Sequence, residues 1–183
     1  MTLAAPRIES RAWTRDHLLL LAAVAGCVSL TARGVSWRAS IITVAVGAAA
    51  LLAPAISEPR ASFRTCVHAT ALGVGAFLFV RVRLVTLPYA GTMAAGVATV
   101  VAAVAEEVFF RRLVYDALSR WGATVAVFGA ALAFAAIHIP GYGFKVLPID
   151  IAAGLLLGWQ RRITGTVAVP ALTHVAANVL SIL

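Results

Sequence analysis

Long apolar runs fill most of this 183-residue chain, and short breaks that carry Arg, Gly or Pro separate them. A helix needs about 20 apolar residues to cross the hydrocarbon core of a bilayer, and most of the runs approach that length. The pattern therefore predicts an all-α fold, a polytopic transmembrane helix bundle of about seven spans. The runs lie at about 17–32, 39–57, 66–87, 91–117, 122–138, 146–160 and 164–183.

The composition excludes an ordinary soluble domain. Hydrophobic residues make up 62% of the chain and charged residues 12%, with a mean hydropathy of +0.96, whereas soluble domains are about half apolar and a quarter charged. A soluble fold of this size could not bury so much apolar surface. No repeat divides the sequence, so we expect a single membrane domain over 1–183. The protein would be an integral multi-pass membrane protein, of the cell (inner) membrane if its source is bacterial.

The net charge of +8 comes mostly from Arg residues that stand singly or in pairs in the breaks. They form no basic stripe, so the charge predicts contact with anionic membrane lipids and argues against nucleic acid as a partner. Basic residues at alternate breaks favour a cytoplasmic N-terminus. The side of the N-terminus takes Arg7, Arg11, Arg15, Arg60, Arg64, Arg112, Arg120, Arg161 and Arg162, against Arg33, Arg38, Arg81, Arg83 and Lys145 on the other side.

The most informative segment is 104–112, where two adjacent carboxylates interrupt an apolar run. A charge at membrane depth is costly, and such residues usually face the protein interior and serve a function. Glu107 and Arg111 are spaced i and i+4 with the acid first, which favours a helical ion pair. Glu106 points about 100° away around the helix, so the two carboxylates can have different tasks. The simpler interpretation is a helix that ends near residue 105 and leaves the charges in water.

Two further polar sites lie in other apolar runs. His138 closes the run that ends just before Pro140, and a lone His at that position is usually interfacial or hydrogen-bonded. His174 and Asn178 are spaced i and i+4, so they share one face of the last helix. Taken alone, that pair is best explained as a hydrogen-bonded contact between helices in lipid.

Together, the three sites would supply the groups that hydrolysis of a peptide bond requires. A carboxylate and a His can take a proton from water. A second His and an Asn can donate hydrogen bonds to a developing oxyanion. The three motifs are similar to the pattern of the CPBP intramembrane proteases, a family that includes the CAAX prenyl endopeptidases and bacteriocin-processing enzymes: Glu106-Glu107-xxx-Arg111, Phe134-xxx-His138 and His174-xxx-Asn178. The resemblance covers about 100–183, which would form the protease motif core.

The resemblance implies a role for each residue. Glu106 would activate the attacking water together with His138. His174 and Asn178 would form the oxyanion site, and the other two residues of the first motif, Glu107 and Arg111, would orient the constellation. The implied activity is an intramembrane endopeptidase, a hydrolase that cleaves a membrane-associated, lipidated or secreted peptide. The expected partners are membrane lipids and a peptide or protein substrate, either prenylated or carrying a C-terminal sorting tail.

Two other classes of protein stay open as alternatives. One is a non-catalytic bacteriocin-immunity or binding protein on the same fold, which would be free to lose Glu106 or His138. The other is a transporter or channel component whose buried charges line a path. Transporters often show an internal repeat, and the sequence has none.

We expect no cofactor and no metal site. Zinc is the less favoured alternative, since His and carboxylate side chains are ordinary zinc ligands. A catalytic zinc would take three of the polar residues, namely Glu106, His138 and His174. Only Glu107 would then be left as the base, and Arg111 is expected to hold that carboxylate.

Overall fold

The computed structural model describes residues 9–32, 37–54, 58–84 and 93–182. Within these ranges the chain is helical and contains no strand, so the all-α prediction is confirmed. A π-helical segment, Phe109–Val114, follows α4 without a break, and a 3₁₀ turn, Phe144–Val146, precedes α8. The α-helices are α1 (Glu9–Ala32), α2 (Trp37–Leu52), α3 (Phe63–Leu84), α4 (Met93–Val108), α5 (Tyr115–Ser119), α6 (Ala123–Ala136), α7 (Ile139–Tyr142), α8 (Leu147–Thr164) and α9 (Ala168–Ile182).

The helices follow the apolar runs, with shifted ends. The second run stops at Leu52, two residues before Pro54, and its last residues, 55–57, lie outside the described part of the chain. The sixth run continues to Thr164, because Gly165 ends the helix in the left-handed conformation (φ 66°). At this point a Cβ atom would also collide with the carbonyl of Pro59, so glycine suits both the conformation and the space.

Two segments of the described chain are long and apolar enough to cross a membrane, Phe63–Val82 and Ala123–Tyr142. The total of seven spans stays a prediction. Many large apolar side chains point outward, as a surface facing lipid would require. They include Leu18, Leu21, Leu52, Leu72, Phe79, Val82, Phe128 and Leu132.

The continuous rod formed by α4, the π segment and α5 occupies the middle of the bundle. α4 packs against α2 on one side and against α9 on the other, while the π segment also contacts α1 and α6. Phe109 and Phe110 are buried, and the Phe110 ring meets the edge of the Phe134 ring of α6 at 5.5 Å between centroids. The rod therefore places the segment that carries the two adjacent glutamates in the interior of the bundle.

Helices α6 and α8 approach closely through two glycines of α8. A Cβ atom on Gly154 would lie 2.8 Å from the Cα of Ala131, and one on Gly158 would lie 3.2 Å from a methyl group of Val127. Small residues spaced by four allow helix backbones to pack tightly where water does not drive association. This contact fixes α8 against α6, the helix that ends two residues before His138.

Arg161 is a buried cation in the last turn of α8. Its Nε donates to the carbonyl of Arg111 at 2.9 Å, and its Nη2 lies 3.2 Å from Asp116 Oδ1. Its Nη1 pairs with Glu58 in the segment before α3, and its guanidinium lies 4.9 Å from the centre of the Tyr115 ring. The network ties α8 and the segment before α3 to the central rod.

Two Arg residues that the sequence analysis counted as loop anchors lie elsewhere. Arg161 belongs to a helix and is only 3% exposed. Arg112 belongs to the π segment, and its Nη2 donates to the carbonyls of Leu51 and Ala53 at 3.0 and 2.9 Å, which caps the end of α2. Their assignment to loops is wrong, because both residues lie in helical segments and their guanidinium groups bind carbonyls or carboxylates of other segments. The cytoplasmic position of the N-terminus stays a prediction.

The backbone hydrogen bonds explain why the Arg111 carbonyl can accept from Arg161. In a regular α-helix the N–H of Tyr115 would donate to the carbonyl four residues earlier, that of Arg111. Here it donates to the carbonyls of Phe110 and Arg112 instead. A π turn displaces the regular pairing in this way, and such turns are frequent at functional sites.

Candidate active site

Glu107 lies at the centre of the buried polar cluster. Its Oε1 is 2.9 Å from His174 Nδ1, and its Oε2 is 3.0 Å from Arg111 Nε. The second contact is an ion pair whose atoms are not aligned for a hydrogen bond. Glu107 and Arg111 have no exposed side-chain surface, so this carboxylate is sealed from solvent and joins α4, the π segment and α9.

The Phe134 ring holds both histidines in one place. Its centroid lies 4.9 Å from that of His138 and 5.7 Å from that of His174, with edge-to-face geometry in both cases. The guanidinium carbon of Arg111 lies 5.5 Å from the same ring centre. One aromatic side chain of α6 therefore contacts three of the motif residues.

Glu106 is 6% exposed and lies in the last turn of α4. It interacts electrostatically with Arg111, with His174 and with an aspartate of α8, Asp150. The carboxylate thus belongs to the same cluster as Glu107 and shares two of its neighbours, while Asp150 is near Glu106 alone. This agrees with the expectation that adjacent residues of a helix point in different directions.

Asn178 lies one turn after His174 on α9 and is half-buried. Among the described residues, no hydrogen bond joins its side-chain amide to the other motif residues. The structure thus places five of the six predicted residues in one contact or electrostatic network: Glu106, Glu107, Arg111, His138 and His174. Asn178 stands beside that network, and the role of each residue stays a prediction.

Two polar residues near the cluster were not identified from the sequence. Asp150, in the first turn of α8, has its Oδ2 3.6 Å from His138 Nδ1. Gln160 donates from Nε2 to the carbonyl of Ala69 at 2.7 Å and to Thr173 Oγ1 at 3.0 Å, which joins α3, α8 and α9 next to His174. Asp150 interrupts an apolar run, and an isolated polar residue at membrane depth is the signal that could have identified it. Gln160 stands at the end of the same run, directly before Arg161 and Arg162, and had no such signal.

The cluster could take a proton and could donate to an oxyanion. His138 Nδ1 lies 2.9 Å from the carbonyl oxygen of Phe134, which only accepts, so this nitrogen carries the hydrogen. The other nitrogen, Nε2, then has the lone pair that can accept a proton. In the same way, Nδ1 of His174 donates to Glu107, so His174 can donate from Nε2 only as an imidazolium.

Metal ligation finds no support in the geometry of the described residues. In that part of the chain, no group of three or more His, Cys, Asp or Glu side chains is arranged to hold a metal ion. The expectation that the protein needs no metal stays a prediction.

Comparison with known proteins identifies a family for this chain. A family model described as "Type II CAAX prenyl endopeptidase Rce1-like" matches residues 88–180, a range that contains all three motifs. No curated protein and no solved structure matches the chain.

Proposed function

Since the chain belongs to the Rce1-like family of type II CAAX prenyl endopeptidases, a membrane-embedded family of proteases, we propose that it hydrolyses a peptide bond within the membrane. The observation that carries the proposal is the contact of both histidines with the Phe134 ring. Each imidazole also has a carboxylate at its Nδ1, Glu107 for His174 and Asp150 for His138. Two imidazoles with opposed Nε2 functions, an acceptor and a donor, suit the hydrolysis of an amide.

In the proposed reaction, Glu106 and His138 activate a water molecule. Glu106 is the general base, and the lone pair on His138 Nε2 helps to hold the water. The water oxygen attacks the scissile carbonyl carbon, and the carbonyl oxygen becomes an oxyanion. The proton taken from the water finally reaches the departing amine, and the second hydrogen of the water stays on the new acid, so the products are a carboxylic acid and an amine.

His174 and Asn178 stabilise the oxyanion in this scheme. His174 donates from Nε2 as an imidazolium, and Glu107 balances that charge from the Nδ1 side at 2.9 Å. Arg111 holds the other oxygen of Glu107 and so fixes its orientation. The Asn178 amide approaches the oxyanion when substrate is bound, since catalytic contacts often tighten only in the complex.

The proposed substrate is a membrane-associated peptide or protein, either prenylated or carrying a C-terminal sorting tail. The protein would be a multi-pass protein of the cell (inner) membrane if its source is bacterial, would contact membrane lipids and would use no metal. A non-catalytic binding or immunity protein is the alternative. The presence of all six motif residues favours the enzyme, because a binding protein does not require a general base.

The test compares the wild-type protein with Glu106→Gln, which keeps the shape of the side chain and removes the base. Both are purified in detergent and incubated with a prenylated CAAX peptide and with peptides that carry C-terminal sorting tails, and mass spectrometry identifies the products. We expect cleavage to fall by about 10²–10⁴-fold, the contribution of a general base. Asp16→Asn is the matched control, because Asp16 pairs with Arg120 far from the cluster and is 43% exposed.

Two results would contradict the proposal. Wild-type turnover by Glu106→Gln, with the control also active, would exclude Glu106 as the base. A folded wild-type protein that binds these peptides and cleaves none of them would favour the non-catalytic alternative.

A further inference from the structure

Asp150 belongs to the surroundings of His138. Its carboxylate oxygen Oδ2 lies 3.6 Å from His138 Nδ1, and the side chains are 22% and 15% exposed. The carboxylate also interacts electrostatically with Glu106 and His174. The six motif residues do not include it, yet it stands next to the imidazole that faces the proposed water.

The hydrogen bonds of His138 define what Asp150 can do. The Nδ1 hydrogen goes to the carbonyl of Phe134 at 2.9 Å, and 3.6 Å is too long for a second hydrogen bond of ordinary strength. Asp150 therefore does not select the tautomer, which the Phe134 carbonyl already fixes. Its remaining effect on the imidazole is that of a negative charge close to a partly buried ring.

Packing holds Asp150 in this place. Asp150, Gly154 and Gly158 are spaced by four along α8 and so share one helix face. That face packs on α6, where Gly154 meets the backbone of Ala131. The close approach of the two helices brings the first turn of α8 to His138, just beyond the end of α6.

A simpler explanation for Asp150 is that acids favour the first turn of a helix, where they interact with the helix dipole. That preference accounts for an aspartate at this position. It does not require the carboxylate to lie 3.6 Å from His138 Nδ1 or its side chain to be only 22% exposed. The two explanations also differ in what they predict for the reaction rate.

We propose that Asp150 is a positioning residue of the hydrolysis: its charge stabilises His138 while the imidazole holds the proton that leaves the attacking water. This inference rests on the proposed function. The O–H bond of the water breaks as its oxygen bonds to the carbonyl carbon, and Glu106 takes the proton and passes it to the lone pair of His138 Nε2. The proton then passes to the nitrogen of the departing amine as the C–N bond breaks, and the imidazole is neutral again.

The first measurement is the cleavage rate of Asp150→Asn with the peptide that the wild-type protein cleaves. The imidazole is charged only during the reaction, so kcat should fall about 10- to 100-fold, less than the ~10²–10⁴-fold contribution of a proton-transferring group. KM should stay within a factor of about two, because the lost interaction forms only in the transition state. Asp16→Asn should leave both constants unchanged. An unchanged kcat would overturn the proposal in favour of the helix-dipole explanation.

The second measurement does not depend on proteolysis. Diethyl pyrocarbonate reacts with the lone pair of neutral imidazole, and the ring becomes positively charged in that reaction as well. Mass spectrometry should show that His138 is modified several-fold more slowly in Asp150→Asn than in the wild type. His68, which is exposed on α3, provides the internal standard for reagent and exposure time.

The two readouts separate the inference from the proposed function. If the protein cleaves no peptide but His138 is modified more slowly in Asp150→Asn than in the wild type, the interaction of Asp150 with His138 is supported and the peptidase function is rejected. Equal modification rates would overturn the role of Asp150, whatever the protein cleaves. If Asp150→Asn also melts earlier, Asp150→Glu decides between charge and packing: the proposal requires it to restore most of the cleavage and modification rates, and a failure of both would overturn it.

Discussion

Glu107 is the residue whose removal would disturb the most contacts of the cluster. Its two oxygens contact side chains of two different segments, the His174 imidazole and the Arg111 guanidinium. Both charges of the ion pair are completely buried. Removing one partner of such a pair leaves a charge inside the protein whose cost of desolvation is no longer offset.

Glu107→Ala should therefore lower both stability and activity. Breaking a buried ion pair costs about 3–5 kcal/mol, so the melting temperature in detergent should drop clearly, and cleavage should fall because His174 loses its counter-charge. Melting curves and cleavage rates are measured on the same preparations, with Asp16→Asn as the surface control, expected to cost about 0–1 kcal/mol. A variant that melts like the wild type but is inactive would show that Glu107 acts in the chemistry and not by orientation.

At the residue scale, the sequence predicted contacts within one helix better than contacts between helices. The spacing of Glu107 and Arg111 indicates their ion pair, because helical geometry places i and i+4 side by side. The contact of Glu107 with His174 depends on how α4 and α9 pack, which no local pattern encodes. Asp150 was not identified as a site residue for the same reason, since its partner His138 lies in a different segment of the chain.

At the scale of elements, apolar runs identified the helices but not the change of helical period. From the sequence, Phe109–Val114 would simply continue α4, because Phe-Phe-Arg-Arg-Leu-Val contains no Gly or Pro that would indicate a different turn. What distinguishes the segment is a tertiary contact. Arg161, which lies on a helix distant in sequence, donates a hydrogen bond to the Arg111 carbonyl. The end of α8 was likewise placed early, since Arg161 was assigned to a loop and not to the interior.

Arg161→Met tests whether this network holds the π segment. Loss of the buried cation removes its ion pair with Asp116, so the free energy of unfolding should fall by about 3–5 kcal/mol. Hydrogen–deuterium exchange should also rise in the peptide that covers 109–116. Arg162→Met, at the adjacent exposed residue, is the control, and it should leave the free energy of unfolding and the exchange unchanged. Equal exchange of 109–116 in wild type and Arg161→Met would mean that the π segment is stable without this contact.

At the scale of the whole molecule, the all-helical fold and the family follow from composition and three short motifs. The arrangement of the cluster does not follow from them, because it is set by close helix packing such as that of Gly154 on Ala131. Most polar groups of the cluster already have a protein neighbour: Glu107 with Arg111 and His174, and His138 with Phe134 and Asp150. A metal would have to replace these contacts.

The purified protein should therefore keep its activity in strong chelators and contain no stoichiometric zinc. In the proposed scheme, each polar residue has a role in which a metal takes no part, and the water is activated by Glu106 and His138. Cleavage rates with and without chelator, together with elemental analysis of the active fraction, check this expectation. Activity that disappears with the chelator and returns with added zinc would overturn the metal-free scheme and leave the peptidase assignment intact.

The π segment has an angular consequence for Arg161. In an α-helix, residue i+5 lies about 140° around the axis from residue i, so Arg111 and Asp116 would face different neighbours. A turn closed between i and i+5 narrows this angle and brings the two positions onto the same side of the helix. One guanidinium can then bind a main-chain oxygen and a carboxylate of the same helix, at 2.9 and 3.2 Å. If the segment were a regular α-helix, Asp116 would be rotated away from Arg161. The guanidinium of α8 would then bind only one of these two oxygens.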